Sequence, residues 1–226
     1  GKELDSTMNY PLKNAIIEYV LTGDETVLST AVKEQLDHYP KHVLDCMMNM
    51  LATHDTFRLL SALSGINTKG KPKSELANTF IQKDKLSNAV NRLKIATLLQ
   101  FTLCGVPSIY YGDEIGMEGF TDPLNRRCYL WGNENQEILN WYKLLGKLRS
   151  DFSVLKKGDL DLIYSKDGCI VYKRADETGE LLVGVNLGKT DKELVFKGKI
   201  KNLLNNKILI GNNFLLILFN KYNNYS

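Results

Sequence analysis

The sequence is poor in the residues that build metal and redox centres: four cysteines and three histidines in 226 residues. Cys46, Cys104, Cys128 and Cys169 lie far apart, form no Cys-x-x-Cys pair and have no histidine at ligand spacing, so neither a zinc site nor a redox motif is supported. Such spacing suits free, buried thiols in a reducing compartment, which favours the cytoplasm over secretion. Long apolar runs are missing too. The most apolar stretch, Phe214 to Phe219, is the size of a strand and too short to span a bilayer. Gly1 to Asp5 is polar and charged, unlike a signal peptide. An excess of one charge is also absent: 29 Lys and Arg against 26 Asp and Glu leave +3, and the lysines are scattered. That balance predicts no nucleic-acid partner and no membrane partner, because both want a concentrated basic patch.

What is present is the composition of a soluble globular protein, 43% hydrophobic and 24% charged, in a length that suits one or two domains. Short apolar runs alternate with helical patterns in the first two thirds. Leu4 to Tyr10 reads as a strand running into Pro11 and a helix over Asn14 to Leu21. Asp24 opens a second helix with Val27, Leu28, Ala31, Val32 and Leu36 on one face. Val43 to Met50 is apolar and runs into Leu51 to Asp55; helix at its start and buried strand at its end fit, but periodicity alone does not separate the two. A loop over Gly65 to Ser74 and a long helix from about Leu86 to Thr102 follow, broken by Gly105-Val106-Pro107. Ser108 to Tyr111 reads as a short strand, Gly116 to Asn135 as irregular, and Gln136 to Leu148 as an amphipathic helix.

Near Arg149 the pattern changes to short strand-like runs: Leu160 to Tyr164, Cys169 to Arg174, Glu180 to Asn186, Glu193 to Phe196, Lys207 to Ile210 and Phe214 to Phe219. Turn pairs Asp167-Gly168 and Thr178-Gly179 mark hairpins. Two domains are therefore expected, 1–150 with parallel βα units and 151–226 as a small antiparallel β-sandwich, with Asn220 to Ser226 as a polar tail.

The pair His54-Asp55 follows an apolar run. At the C-terminal end of a barrel-type strand these side chains would stand where βα-barrel enzymes place their sites. A helix start capped by Asp55 or Thr56 explains the same residues about as well.

Four stretches together say more. They are Asp5-Ser6-Thr7-Met8-Asn9-Tyr10-Pro11, Asn49-Met50-Leu51-Ala52-Thr53-His54-Asp55-Thr56, Gly105 to Met117 (GVPSIYYGDEIGM), and Asp122-Pro123-Leu124-Asn125-Arg126-Arg127-Cys128. In order and spacing the chain resembles the α-amylase superfamily of glycoside hydrolases, in its neopullulanase, cyclomaltodextrinase and maltogenic amylase branch. With the terminal β region, the likeness covers nearly the whole chain. It implies an α/β plus all-β fold: the C-terminal part of a (β/α)8 TIM barrel, about strands six to eight, then the β-sandwich.

The resemblance also implies roles. Asp55 matches the third catalytic carboxylate, which holds sugar hydroxyls and favours the distorted, oxocarbenium-like transition state without attacking it. His54 matches the imidazole bonded to the same sugar. Asp122 and Arg126 match a pair that contacts the non-reducing side of the substrate, with an ion pair pinning the loop as the structural alternative. Tyr10 and Asn9 are expected on the same rim. Asp113 and Glu114 are expected to be mainly structural, and Arg58 to anchor the strand-to-helix turn. Phe57 stands where the family usually has Pro. No metal ligands and no cofactor are implied within these residues; calcium is compatible with a full-length protein, although no oxygen-rich loop here demands it.

Retaining glycosidases need a nucleophile and an acid/base carboxyl group about 5 Å apart. The family carries them in Gly-x-Arg-x-Asp and Gly-Glu contexts, and neither occurs here as a strand-end motif. The chain alone is therefore expected to be inactive, and the full-length enzyme to hydrolyse α-1,4, and in some members α-1,6, bonds of maltooligosaccharides, cyclodextrins or pullulan. The expected partners are an α-glucan oligosaccharide and either the missing N-terminal half of the barrel or a second copy, which makes a homodimer one way to cover the open wall. The alternative is a non-catalytic carbohydrate-binding or assembly module on an amylase scaffold.

Overall fold

The computed structural model describes residues 4–190, together with the strand backbones at 200–202, 208–209 and 214–220. Helix α1 (Tyr10–Thr22) starts where the Asn9 side chain accepts from the Leu12 N–H, with Pro11 in the first turn. It stops at Gly23, whose left-handed backbone lets its N–H reach the Tyr19 carbonyl at 2.7 Å. Asp24 caps α2 (Glu25–His38) as the sequence predicts. After α3 (Lys41–Cys46) comes strand β1 (Met48–Met50). Helices α4 (Leu59–Leu63), α5 (Lys73–Ala77) and α6 (Lys83–Thr102) lead to β2 (Val106–Ser108).

β1 and β2 pair in parallel, Met48 against Val106 and Met50 against Ser108. Met8 makes a parallel bridge to Met48 on the other side, held by Asn9 N–H to Met48 O at 2.9 Å. Three parallel segments separated by helices thus stand side by side. Parallel neighbours need such crossovers, because a tight turn can join only antiparallel strands.

The third strand falls two residues earlier than the sequence reading placed it. Gly105, read as part of the break, is the corner itself at φ +108°, and a Cβ there would meet the Asn49 side chain and the Met47 carbonyl at 2.7 Å. A residue without a side chain lets the chain turn straight into β2, and Pro107 is tolerated inside it.

Helix α7 (Gln136–Asp151) and the single turn α8 (Val154–Lys157) precede β3 (Asp159–Lys166), β4 (Cys169–Asp176) and β5 (Gly179–Asn186). These three form an antiparallel meander through the two predicted turns. β6 (Ile200–Asn202), β7 (Ile208–Leu209) and β8 (Phe214–Asn220) extend it in the order β3-β4-β5-β8-β6-β7. Here the expected fully antiparallel sandwich needs correction. β8 runs parallel to both β5 and β6, so the described strands make one mixed sheet. The long connection between Asn186 and Phe214 returns the chain in the same direction, which periodicity cannot reveal. The expected strand Glu193 to Phe196 and most of the polar tail lie outside the described residues.

One apolar core crosses the boundary near residue 150. Leu12, Ile16, Leu93 and Leu145 of the helices belong to the same buried cluster as Ile170, Tyr172 and Val183 of the sheet. The Tyr19 hydroxyl donates to the Gly168 carbonyl at 3.0 Å, and Thr102 and Tyr172 share a hydrogen bond of 2.6 Å. The expectation of buried thiols holds only for Cys169: Cys46 and Cys128 are exposed and Cys104 is half-buried. Cys46 ends a short surface helix and Cys128 lies in a loop, positions that alternating hydrophobicity does not distinguish from core.

Candidate functional site

Buried Leu51, Ala52 and Thr53 continue from β1, and the chain emerges at His54 and Asp55, both about three-fifths exposed. The next helix starts only at Leu59, with Arg58 at its cap, so Asp55 and Thr56 are not N-caps. The Thr53 hydroxyl accepts from the Asp55 N–H at 3.1 Å, and the Thr56 hydroxyl accepts from the Thr53 N–H at 2.8 Å. These bonds shape a tight turn at the C-terminal end of a parallel strand and present two adjacent polar side chains outward.

Four polar residues singled out from the sequence come together there. His54 Nε2 lies 3.2 Å from one Asp55 oxygen, and the Arg126 guanidinium lies 3.6 Å from the other. Arg126 Nε holds Asp122 at 2.7 Å and donates to the His54 carbonyl at 3.2 Å. Arg126 therefore pins its own loop, the structural alternative, and also reaches the Asp55 carboxylate. The Asp122-Pro123 peptide bond between these partners is cis.

Asn125, which the sequence does not mark as a site residue, organises the turn. It is fully buried, and its amide donates to the His54 and Thr56 carbonyls, both at 2.7 Å. Its place beside Arg126 in the quoted motif was the available signal. An amide pointing inward while its neighbour points outward is invisible without the fold.

Beneath the turn, Arg58 is fully buried. Its guanidinium donates to the Tyr111 carbonyl, sits 4.4 Å from the Tyr110 and Tyr111 ring centres, and faces Asp113 at 3.7 Å. Burial pushes the Asp113 carboxyl up to about 7, with Arg58 opposing the shift. Glu114 accepts from the Gly112 N–H at 2.7 Å. Arg58, Asp113 and Glu114 thus build the floor, as expected. Phe57 turns to pack edge-on against Phe120, 5.5 Å between ring centres.

Asn9 does not belong to the rim, which corrects the sequence reading. It is buried, its carbonyl oxygen accepts from Leu12 and Gln35, and its amide donates to Asn49 at 2.9 Å. A side chain so engaged in capping α1 has little left for a ligand. Tyr10 stands partly exposed at the first position of α1 and makes no hydrogen bond or ring contact with the His54 group among the described residues. Among those residues, no group of three or more His, Cys, Asp or Glu is placed to hold a metal ion.

Carboxylates at the loop end of parallel strands, backed by arginine and imidazole, are the surroundings in which βα-barrel enzymes handle polar substrates. The class can be narrowed to a family. Residues 1–147 match the α-amylase catalytic domain, and the chain belongs to that family of glycoside hydrolases. It is 31% identical over 205 residues to a cyclomaltodextrinase of Thermoanaerobacter pseudethanolicus, covering 89% of this chain and 32% of that one. To an amylopullulanase of Thermoanaerobacter thermohydrosulfuricus it is 35% identical over 186 residues, 77% of this chain and 12% of the relative. Among solved structures it is similar to the α-amylase of Geobacillus thermoleovorans complexed with acarbose, with TM-score 0.73 and 25% identity over 92% of this chain and 44% of that one. The chain therefore spans about a third of the length of the cyclomaltodextrinase and about an eighth of the amylopullulanase.

Proposed function

We propose that this chain supplies the last three strands of an α-amylase-type (β/α)8 barrel, within residues 1–150, and the β domain that follows, within 151–226. In this reading the whole enzyme hydrolyses α-1,4, and in some substrates α-1,6, bonds of maltooligosaccharides, cyclodextrins or pullulan with retention. The observation that carries it is the junction of Asp55 with His54 and Arg126 at the end of β1.

Asp55 holds a negative charge between a ring nitrogen and a guanidinium, yet remains open to solvent. A carboxylate so placed accepts hydrogen bonds from vicinal sugar hydroxyls and favours positive charge developing on the sugar ring. Those bonds strengthen in the transition state, a gain on the order of several kcal/mol. Arg126 and Asp122 would grip the neighbouring sugar. None of these groups forms or cleaves a glycosyl–enzyme bond. The chain contains no Gly-x-Arg-x-Asp strand end, so the nucleophile and the acid must come from polypeptide beyond these residues.

That same polypeptide, or a second copy, would cover the open edge at Thr7 and Met8, both exposed beside a cleft of about 420 Å3 lined by Gln35 and Tyr39. No resident cofactor is proposed, and calcium remains compatible with the full-length protein.

The test is kinetic. In the full-length protein, Asp55→Asn is expected to slow cyclodextrin hydrolysis by on the order of a hundredfold or more with little change in stability. Hydrolysis at the wild-type rate would remove the role. A non-catalytic carbohydrate-binding module is the second reading, because the sugar-facing residues are present here without the nucleophile motif. It requires that the full-length protein bind maltotriose calorimetrically and release no products.

A further inference from the structure

A second surface feature is tied to the loop that carries Arg126. The segment between α4 and α6 folds around a groove of about 410 Å3 lined by Ile66, Asn67, Lys71, Thr79, Phe80 and Gln82, among others. That volume is in the range of small-ligand sites. Phe80, apolar and 56% exposed, has the Arg127 guanidinium 5.4 Å from its ring centre. An aromatic ring held by a cation and otherwise left to solvent is a surface that water solvates poorly.

The groove is built, and it is tied to the site. Arg127 donates to the Ala77 carbonyl at 2.8 Å, and Glu118 accepts from the Ile81 N–H at 2.7 Å, so both sides of Phe80 are fastened to the loop that carries Arg126. Arg126 and Arg127 are consecutive. One guanidinium reaches Asp55 and the other reaches Phe80.

We propose that this groove is an outlying subsite for longer α-glucan chains, with Phe80 as the stacking platform. The inference rests on the reading of the Asp55 group given above and extends it. The lining chemistry selects the ligand. A pyranose presents a face of C–H bonds, which suits the exposed ring, and an edge of hydroxyls, which suits neutral amides and hydroxyls. Asn67, Thr79 and Gln82 supply such groups; Gln82 makes no side-chain hydrogen bond among the described residues. Lys71, one of the two lysines in the lining, is already held by Glu75 at 2.7 Å.

The experiment is calorimetric titration of the 226-residue chain with maltotriose and maltohexaose. Wild type is expected to bind maltohexaose about tenfold more tightly than maltotriose, a step of about 1.4 kcal/mol. Phe80→Ala should abolish that difference and leave maltotriose unchanged, whereas Asp55→Asn should weaken both. A Phe80→Trp variant reports the groove directly, by a fluorescence change on addition of maltohexaose that maltotriose does not produce. If maltotriose binds and maltohexaose binds no more tightly, or Phe80→Ala leaves the difference intact, the subsite is overturned while the Asp55 reading survives. If only maltohexaose binds and Phe80→Trp responds, the subsite stands and the Asp55 reading fails. Binding of neither sugar overturns both.

Discussion

Two fully buried arginines divide the molecule between them. Arg174, on β4, gives its guanidinium to the Gly158 carbonyl at 2.8 Å and the Thr102 carbonyl at 2.7 Å, with its Nε also on Gly158 at 3.3 Å. Every nitrogen has a backbone partner, and the sheet is clamped to the end of α6. Arg58, beneath the His54-Asp55 turn, leaves Nε and one terminal nitrogen without a partner among the described residues. It faces two tyrosine rings and a carboxylate instead. Where Arg174 only has to hold the chain together, its nitrogens are all satisfied. Under the candidate site Arg58 is held at a cost, as expected where a surface is shaped for a ligand as well as for stability.

The largest effect that would sharpen this contrast is expected from Arg58→Met. It removes the cation facing Asp113, and an unpaired buried carboxylate costs about 3–5 kcal/mol. The cost should depend on pH. Because the folded-state Asp113 carboxyl titrates near 7, well above its ordinary value of 3.8, its ionisation lowers stability progressively as pH rises between those values. Urea unfolding of Arg58→Met should therefore show a smaller deficit at pH 5 than at pH 8. Equal deficits at both would mean that Asp113 is not the group left exposed to the change.

Arg174→Met should cost less, about 1–3 kcal/mol for the carbonyls it abandons, with no comparable pH dependence because no carboxylate faces it among the described residues. A pH-dependent loss as large as that of Arg58→Met would break the comparison. The smallest effect on stability is expected from Asp122→Asn, whose exposed bond to Arg126 is worth about 0.2–1 kcal/mol. The same change should weaken maltotriose binding about tenfold, a shift of about 1.4 kcal/mol. A stability loss exceeding the binding loss would assign the pair to scaffolding alone.

Much of this was legible in residue order. Asp24 and Pro11 announced the first two helices because caps and ring-locked dihedrals act locally. The histidine–aspartate pair and the Asp122 to Arg126 segment were legible as motifs. Asn9 is illegible for the opposite reason: a polar residue at a strand end looks like rim until α2 brings Gln35 to its side chain. Phe80 carried no signal either, since an aromatic in a lysine-rich loop reads as ordinary until Arg127 is found over its ring.

The sequence by itself determined the four long helices, the meander and which residues are ionisable, because dihedral preference and hydrophobic period act over a few neighbours. Only the tertiary structure decided that positions 55 and 126, 71 residues apart, would share an ion pair, that Asn125 would turn inward to hold the turn, and that β8 would enter the sheet in parallel. Each of those depends on where long connections return the chain, and chain return is set by packing of the whole core rather than by any local preference.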